Sequence, residues 1–318
     1  MPQFFAVLSA LSLLACRSYA EDSGSRSNQP TGETGPADAA CAEFAADHPD
    51  ARVSNEALDE ISGLGYGRVN QETLWAHNDS GDSARLFALG TDGTHRATLN
   101  LSGVTAQDWE DLALVDGPTS NTGSIYIGDI GDNGRKRKSV AVYRLEEPDL
   151  SGVEVGAELQ TKSVERFELV YEDGPHNAEA MMIDPRTGRA LILTKTEKSV
   201  TALYATAEPL GKPGGATLYL ETTVDLLGID LKGFRIVTAA DISQDGGWML
   251  VRTYSDAYMW PRPAQATYTE WLQSTPCEMP VEAERQGEAV TFSADAQHYF
   301  TISEGVQPEI YRFRRTKK

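Results

Sequence analysis

Two short acidic loops recur along this chain and carry the residue types best suited to chemistry. They are Asp79-Ser80-Gly81-Asp82-Ser83 and Asp129-Ile130-Gly131-Asp132-Asn133, which begin 50 residues apart. Glu60 and Glu110 precede the two loops and have the same separation. Two markers with one period indicate a structural repeat, and a period of this size is typical of solenoids and propellers. The repeat therefore places acidic groups at equivalent positions in successive units.

Five copies of the repeat align through three short stretches. The first is an acidic residue followed by small and apolar residues: Glu60, Glu110, Glu179 and Glu288 begin four copies, and Thr238 begins the other. The second is an apolar strand that ends in polar groups, and the third is a short strand with an aromatic residue. Such runs, bounded by Gly, Asp, Asn or Pro, are typical of strands joined by turns.

The sequence thus predicts an all-β protein, a β-propeller with four-stranded blades. Five blades fill the chain, and six with one degenerate copy is the alternative. A looser segment after each aromatic strand supplies an outer strand, as in residues 166–171, where Phe167, Leu169 and Tyr171 alternate. Residues 52–58 are expected to close the ring as the outer strand of the last blade. Residues 266–273 are the best helix candidate, as an insertion in the fourth blade.

A propeller brings the first strands of its blades together around one channel. Several carboxylates there would repel one another unless protons or a cation compensate. Many oxygen ligands favour Ca²⁺ over Zn²⁺. The predicted metal ligands are Glu60, Asp79, Glu110, Asp129, Asp132, Glu179 and Glu288, with Asn78 and Asn133 as further oxygen donors. The alternative is structural, because Asp-x-Gly-Asp is also ordinary turn chemistry and a glutamate at a strand start can accept backbone N–H bonds.

Cationic, aromatic and imidazole groups share the predicted channel mouth. The expected ligand-binding residues are His77, Asn78, His176, Lys195, Arg252, Tyr254 and Glu304. With the carboxylates they suit an anionic substrate bound across a metal. The alternative gives the histidines structural hydrogen bonds and pairs Lys195 and Arg252 with the acidic ring. No Gly-x-Ser-x-Gly, P-loop, His-Glu-x-x-His or Cys-x-x-Cys motif is present, so nucleophilic Ser or Cys chemistry has no support.

The net charge of −19 argues against nucleic acid as a partner, because phosphate binding needs clustered Lys and Arg. The basic runs at residues 135–138 and 314–318 are interpreted as a solvated loop and a solvated terminus.

The N-terminal residues 1–20 are typical of an export signal, since residues 4–14 form an apolar run too short to span a bilayer. Leu13-Leu14-Ala15-Cys16 resembles a lipobox, which would make Cys16 the lipidated N-terminus of a lipoprotein anchored in a bacterial cell envelope. Cleavage after Ser18-Tyr19-Ala20 is the alternative and gives a soluble periplasmic or secreted protein. Residues 21–40 are predicted to be a flexible tether, and residues 41–318 a single propeller domain.

Cys41 and Cys277 are the cysteines left in that domain. In an oxidising compartment they either pair or remain two thiols. A bridge would join the N-terminal strand region to the last repeat.

Several strings resemble an uncharacterised family of exported bacterial β-propeller proteins. They are Asp108-Trp109-Glu110-Asp111-Leu112-Ala113, Tyr126-Ile127-Gly128-Asp129-Ile130-Gly131-Asp132-Asn133, Asn177-Ala178-Glu179-Ala180, Arg252-Thr253-Tyr254-Ser255-Asp256-Ala257-Tyr258 and Gln286-Gly287-Glu288-Ala289. This resemblance implies the fold more than an activity. More distantly, the acidic stretch is similar to that of phytase-like (esterase-like) and gluconolactonase-like propellers. In the latter a first-strand glutamate helps to hold a divalent metal, which implies that role for Glu60, Glu110, Glu179 and Glu288. Thr238 and the count of five blades depart from the gluconolactonase-like pattern.

Three functions follow as hypotheses. The first is a monomeric module that binds a small molecule, a glycan or a protein partner, with Ca²⁺ at the channel mouth and contact with a membrane only through the lipid anchor. The absence of catalytic motifs favours it. The alternative is a divalent-metal-dependent hydrolase of a phosphoester or lactone. The third is a structural propeller, in which metal changes nothing.

Overall fold

The computed structural model describes residues 41–47, 51–196, 200–226 and 236–317. The predicted export signal, Cys16 and the predicted tether lie outside these ranges. The strands are β1 (Glu43–Ala46), β2 (Ile61–Tyr66), β3 (Thr73–Asn78), β4 (Arg85–Gly90), β5 (His95–Asn100), β6 (Trp109–Asp116), β7 (Gly123–Asp129), β8 (Val140–Glu146), β9 (Ala157–Gln160), β10 (Glu165–Tyr171), β11 (Ala178–Ile183), β12 (Ala190–Thr194), β13 (Val200–Thr206), β14 (Gly214–Asp225), β15 (Val237–Ile242), β16 (Trp248–Thr253), β17 (Ala257–Pro261), β18 (Cys277–Met279), β19 (Gly287–Phe292), β20 (His298–Ser303) and β21 (Ile310–Lys317).

The strands pair as antiparallel units of four. Their orders are β2-β3-β4-β5, β6-β7-β8-β10, β11-β12-β13-β14, β15-β16-β17-β18 and β19-β20-β21-β1. Two parallel pairings extend these units, because β9 joins the edge of β5 and β14 joins β10. The second and third units therefore form one eight-stranded sheet. Neither parallel pairing follows from the repeat pattern of the sequence.

The first strand of each unit faces the middle of the fold. Strands β2, β11, β15 and β19 are buried along their whole length, as are the first six residues of β6. These five strands contact one another in the cyclic order β2, β6, β11, β15, β19 and back to β2. Burial on both faces explains their small and apolar residues. The prediction of an all-β, propeller-like fold is confirmed.

The last unit is completed from the N-terminus, but by a different segment from the one predicted. Strand β1 pairs with β21, and Phe44 packs edge-on against Tyr299 at 5.1 Å between ring centroids. Residues 52–58 do not form that strand, and their β-pairing is an isolated bridge between Arg52 and Glu309. Instead Val53 and Leu58 are buried in the core between the first and last units. This apolar burial, the Arg52–Glu309 ion pair and the hydrogen bond from Val53 N–H to the Pro308 carbonyl at 3.0 Å hold the segment.

Cys41 and Cys277 form a disulfide with a Cα–Cα distance of 5.6 Å. Cys277 begins β18, so the bond joins the chain just before β1 to the outer strand of the fourth unit, not to the last unit. Between β17 and β18 lies the only α-helix of the described residues, α1 (Tyr268–Leu272). Thr267 and Glu270 cap it with a reciprocal capping box, which confirms the predicted insertion with narrower bounds. No helix in the described part of the chain is long and apolar enough to cross a bilayer.

Candidate functional site

Each first strand contains a β-bulge near its start, and three of the predicted carboxylates lie on these bulges. The register shifts leave one extra residue in each first strand: Ser62, Glu110, Glu179, Thr238 and Glu288. A bulge changes the direction of its side chain relative to the strand. Two of the bulge hydroxyls bond to the next bulged strand, from Ser62 Oγ to the Glu110 carbonyl at 2.6 Å and from Thr238 Oγ1 to the Gly287 carbonyl at 2.9 Å.

Glu60 is not part of this ring. It is exposed and precedes β2, while Ser62 occupies the position equivalent to Glu110. Asp79 N–H donates to the Glu60 carbonyl at 2.8 Å, and Gly131 N–H donates to the Asp108 carbonyl at 3.2 Å. Asp108 is therefore the counterpart of Glu60. The separation of equivalent residues in the first two units is 48 and not 50, which places three glutamates on the ring instead of four.

A second set of side chains follows the second strand of each unit. The residues that come directly after β3, β7, β12, β16 and β20 are Asp79, Ile130, Lys195, Tyr254 and Glu304. Four of these five were predicted from the sequence as ligand or metal residues, and Ile130 is the apolar exception. Asp129 lies one position earlier, within β7, which explains why it has different neighbours from Asp79.

Asp79, Asp108 and Glu110 form the tightest acidic group of the described residues. One carboxylate oxygen from each lies within 4.8 Å of the other two. Gly131 provides the space for this approach: a Cβ at Gly131 would overlap Glu110 Oε1 and lie 2.5 Å from the Asp108 carboxylate. The glycine is needed here for room, and not for an unusual backbone angle.

The Glu110 carboxylate is buried without a hydrogen-bond or ion-pair partner among the described residues. The residue is 3% exposed. Burial, then Glu179, Asp79 and Asp108, raise the pKa of Glu110 well above its usual value, and the Lys195 charge opposes them only in part. Burial and the Asp79 carboxylate also raise the pKa of Asp108. A buried carboxylate in such surroundings favours uptake of a proton or a cation.

Lys195 supplies the positive charge beside this group. Its Nζ forms an ion pair with Glu179 Oε1 and donates to Tyr254 Oη at 2.8 Å. Burial raises the pKa of Glu179 to about 7 although Lys195 lowers it. Burial alone would lower the pKa of Lys195, but Glu179 and Tyr254 reverse the direction and raise it.

Glu288 and Glu304 complete the acidic surroundings. Burial and the Glu179 charge raise the pKa of Glu288 to about 8, against a 3.0 Å hydrogen bond from Gln286 Nε2. Burial, followed by the Asp79 and Glu60 charges, raises the pKa of Glu304. The Lys195–Glu179 ion pair and the approach of Asp79 to Glu110 bring residues of the bulge ring and of the strand-end ring to one mouth.

Asp129 and Asp132 are held by the protein in structural roles. Asp129 Oδ1 pairs with Arg137 Nη2 at 2.7 Å and accepts the N–H of Asp108 at 3.3 Å. Asp132 Oδ2 accepts the backbone N–H groups of Lys136 and Arg137, each at 2.7 Å. The structure therefore keeps both carboxylates out of the acidic group, because their charges are already satisfied within the β7–β8 loop.

His77 and Asn78 also lie below the mouth. His77 is 1% exposed and packs edge-on against Trp109 at 5.4 Å between centroids, and burial lowers its pKa. Asn78 accepts the N–H of Glu60 at 3.2 Å and donates to the Ala57 carbonyl and Asp82. The Asn78 side chain orders the loop before β2, whereas the His77 ring is enclosed beside Gly63 and Trp109.

His176 belongs to a separate aromatic cluster. Its Nε2 lies 2.9 Å from Asp173 Oδ1 and 3.0 Å from Tyr204 Oη, and its ring packs edge-on against Tyr171. Tyr204 Oη donates to Asp173 Oδ2 at 2.7 Å. His176 is therefore held by Asp173, Tyr204 and Tyr171, which also contact one another, and it is not one of the residues at the mouth.

Arg252 is fully buried and does not reach the mouth surface. Its Nη2 pairs with Glu284 Oε2 at 2.5 Å, and both side chains are at most 1% exposed. Gly287 leaves room for the guanidinium, because a Cβ there would lie 2.6 Å from Cζ and Nε. Arg252 thus holds the fourth unit to the fifth.

Asp111, which was not predicted as a site residue, is fully buried next to Glu110 in the sequence. Its Oδ2 accepts the N–H of Met181 at 2.9 Å and the N–H of Ala240 at 3.2 Å. It therefore links the first strands of three units. Asp108 was also missed as a ligand, although it lies two residues before Glu110 in the string quoted above. A repeat offset of 48 would have matched it to the acidic Glu60.

The arrangement offers oxygen ligands, one ammonium group and one phenol around the mouth. Three carboxylates in one group suit a hard divalent cation. No protein-family model and no curated protein matches this chain. Among solved structures the chain is similar to a gluconolactonase from Xanthomonas campestris, with 12% identity over 85% of this chain and 96% of that chain and a TM-score of 0.43.

Proposed function

We propose that this chain is a five-bladed β-propeller that binds a small ligand at its channel mouth through a divalent cation, most favourably Ca²⁺. The cation is held by Asp79, Asp108 and Glu110. The observation that carries the proposal is the Glu110 carboxylate, which is buried, lacks a protein partner in the described ranges and has room only because residue 131 is glycine. Ca²⁺ takes about 6–8 oxygen ligands, so three carboxylates leave positions for ligand oxygens.

The cyclic contacts of the five first strands support a count of five blades. A six-bladed ring would need another first strand between two of these neighbours. The Asp111 carboxylate bonds to the first strands of the third and fourth units and so supports this ring of first strands.

Thermal melts of the full chain test the cation site. They are recorded in EDTA and then with Ca²⁺, Mg²⁺ or Zn²⁺ restored. A cation that binds only the native state at 100 times its Kd stabilises it by about 2.7 kcal/mol. We expect Ca²⁺ to raise the Tm of the parent protein and to leave the Tm of the Glu110→Gln variant unchanged.

Glu278→Gln is the matched control, because Glu278 is an exposed glutamate on β18. It should respond to Ca²⁺ like the parent. An equal Ca²⁺ response in Glu110→Gln would remove the acidic group from the proposed function.

A divalent-metal-dependent hydrolase of a lactone or phosphoester is the second candidate. It is favoured by Glu288, whose raised pKa of about 8 lets its carboxyl hold and release a proton near neutral pH. Hydrolysis adds one water across the ester bond; a bound divalent ion would supply Lewis acidity. Glu288 would move a proton, and Lys195 would stabilise negative charge. Turnover of a phosphoester or lactone in Ca²⁺ that is lost in Glu288→Gln supports this candidate; absence of turnover favours binding alone.

Export and anchoring remain proposals that rest on residues outside the described ranges. Cys16→Ser should release the protein from membrane fractions if Cys16 carries a lipid. A protein that is soluble before the substitution would favour cleavage after Ala20 instead. We also propose that the chain acts as a monomer, with a small molecule, a glycan or a protein as its partner, and sedimentation in Ca²⁺ tests the monomeric state.

A further inference from the structure

A cavity of about 700 Å³ opens between Lys195 and the loop that follows Gly131. Its wall includes Asn133, Arg135, Asn177, Lys195 and Thr196. Lys195 is shared between this cavity and the mouth, because it also forms the ion pair with Glu179. The loop that carries Asn133 and Arg135 is continuous with Gly131, on which Glu110 and Asp108 rest.

The charge of this wall differs from that of the whole chain. The protein has 47 acidic and 28 basic residues, yet the described wall contains two cationic side chains and no carboxylate. Two asparagine side chains add polar groups, and they are ordered by hydrogen bonds: Asp132 N–H donates to Asn177 Oδ1 at 2.6 Å, and Asn177 Nδ2 donates to Asn133 Oδ1 at 3.2 Å. Lys195 shares its charge with Glu179, and Arg135 adds a second cation on an exposed loop, so the described wall favours a ligand with negative charge.

Lys195 keeps bonding capacity for a ligand. An ammonium group has three N–H donors, and Lys195 uses one for Glu179 and one for Tyr254. The remaining donor can bond an oxyanion in the cavity. Cationic donors form stronger hydrogen bonds to carboxylate or phosphate than neutral donors do.

We propose that the ligand of this protein is a small organic oxyanion. Its phosphate or carboxylate lies between Arg135 and Lys195, and another oxygen reaches the cation at Asp79, Asp108 and Glu110. This inference rests on the proposed function for that second contact. The cavity volume is in the range of small-molecule sites, which are about 300–1,000 Å³, so an organic body is expected together with the anionic group.

Titration calorimetry with three hexoses tests the proposal on the full chain in Ca²⁺. Glucose 6-phosphate carries a phosphate, glucuronate carries a carboxylate, and glucose carries neither. We expect at least one anionic hexose to bind, and glucose to bind at least about tenfold more weakly, because a charge-assisted hydrogen bond is lost. The preferred anion identifies the group that the cavity takes.

Arg135→Gln is the main variant, because Arg135 is exposed and its replacement should leave the fold intact. It should weaken binding of the anionic hexose about tenfold, as should Lys195→Gln. Lys138→Gln is the control from the same basic run, since Lys138 is exposed and is not part of the cavity wall; it should bind like the parent. Equal binding of glucose, or equal weakening in Arg135→Gln and Lys138→Gln, would overturn the proposal.

The two proposals fail in different ways. If Ca²⁺ raises the Tm but none of the hexoses binds, the oxyanion proposal is overturned and the cation site stands. If an anionic hexose binds equally in EDTA and in Ca²⁺, and Arg135→Gln weakens it, the oxyanion site stands and the cation dependence is lost.

Discussion

The Glu110 carboxylate lies directly over Gly131, where any β-carbon would overlap its Oε1 atom. This contact joins β6 to the β7–β8 loop and lets Asp108 approach from the same side. The acidic group therefore depends on an absent side chain as much as on the carboxylates themselves. Gly131 has ordinary backbone angles, and two carboxylates occupy the space that its side chain would take. Turn geometry alone does not require a glycine at this position.

Gly131→Ala should consequently impair cation binding. The added methyl group must displace the Glu110 or Asp108 carboxylate, and overpacking of this kind costs about 1–3 kcal/mol. We expect a smaller rise in Tm on addition of Ca²⁺ than in the parent protein. Gly134→Ala is the control, because a Cβ there meets only the flexible Lys136 side chain, at 3.4 Å. An undiminished Ca²⁺ response in Gly131→Ala would mean that the ion lies elsewhere.

The pH dependence of the cation-free protein should report on Glu288. Its pKa is raised from 4.5 to about 8 in the folded state, first by burial and then by Glu179. The protonated form is therefore favoured by folding, and the stability it provides is complete below pH 4.5 and is lost as the pH rises to about 8. The loss is at most about 1.4 kcal/mol per pH unit for one proton.

The measurement compares the parent protein with Glu288→Gln in EDTA, by denaturant unfolding at several pH values from 5 to 9. The amide resembles the protonated carboxyl, so the two proteins should have similar free energies of unfolding at pH 5. Glu288→Gln should become the more stable of the two as the pH rises. Parallel curves over this interval would show that Glu288 is not buried in the way described.

The disulfide should stabilise the closure of the ring. Cys41 and Cys277 are 236 residues apart in sequence, and a cross-link over so long a loop removes much conformational entropy from the unfolded chain. Cys277→Ser should lower the free energy of unfolding by about 2–5 kcal/mol. A Cys16→Ser background prevents exchange with a third thiol. Reductant should then lower the Tm of the Cys16→Ser protein and leave the Cys277→Ser variant unaffected; an equal effect on both would exclude the bond.

Strand alternation and turn residues predict most of the fold, as in β10, where Phe167, Leu169 and Tyr171 are buried and their neighbours are not. The sequence did not predict which N-terminal segment, β1 or residues 52–58, pairs with the last unit. Residues 52–58 contain Val53 and Leu58, which suit a strand, but both are used in the core. Strand β1 has one partly buried aromatic residue, Phe44, and depends on the free edge of β21.

The sequence predicted acidic side chains on the first strands, but it matched the residues of the first two units two positions out of register. Every first strand has its bulge at the same place, so the bulges do not shift one unit against another. Strands β6 and β7 have eight and seven residues, whereas β2 and β3 have six each, so the offset of 50 between the acidic loops does not hold for the first strands. Matching Glu60 to Glu110 therefore missed Ser62 and Asp108 by two positions. Burial also separates residues that look alike in sequence, because Lys195 reaches the mouth whereas Arg252 is enclosed.

Arg252 supports the fold and not the ligand site, and this can be measured. Its guanidinium pairs with Glu284, and Glu284 also accepts a hydrogen bond from Thr301 at 2.5 Å. Removing one partner of a buried ion pair costs about 3–5 kcal/mol, because the other charge is left uncompensated. Arg252→Met should therefore lower the free energy of unfolding by about this amount, and Arg252→Met combined with Glu284→Gln should recover most of it.

Arg166→Met is the control, since Arg166 and Glu168 form an exposed pair whose loss should change stability by less than about 1 kcal/mol. The double variant should keep the full Ca²⁺-induced rise in Tm; losing that rise while remaining folded would return Arg252 to the ligand site.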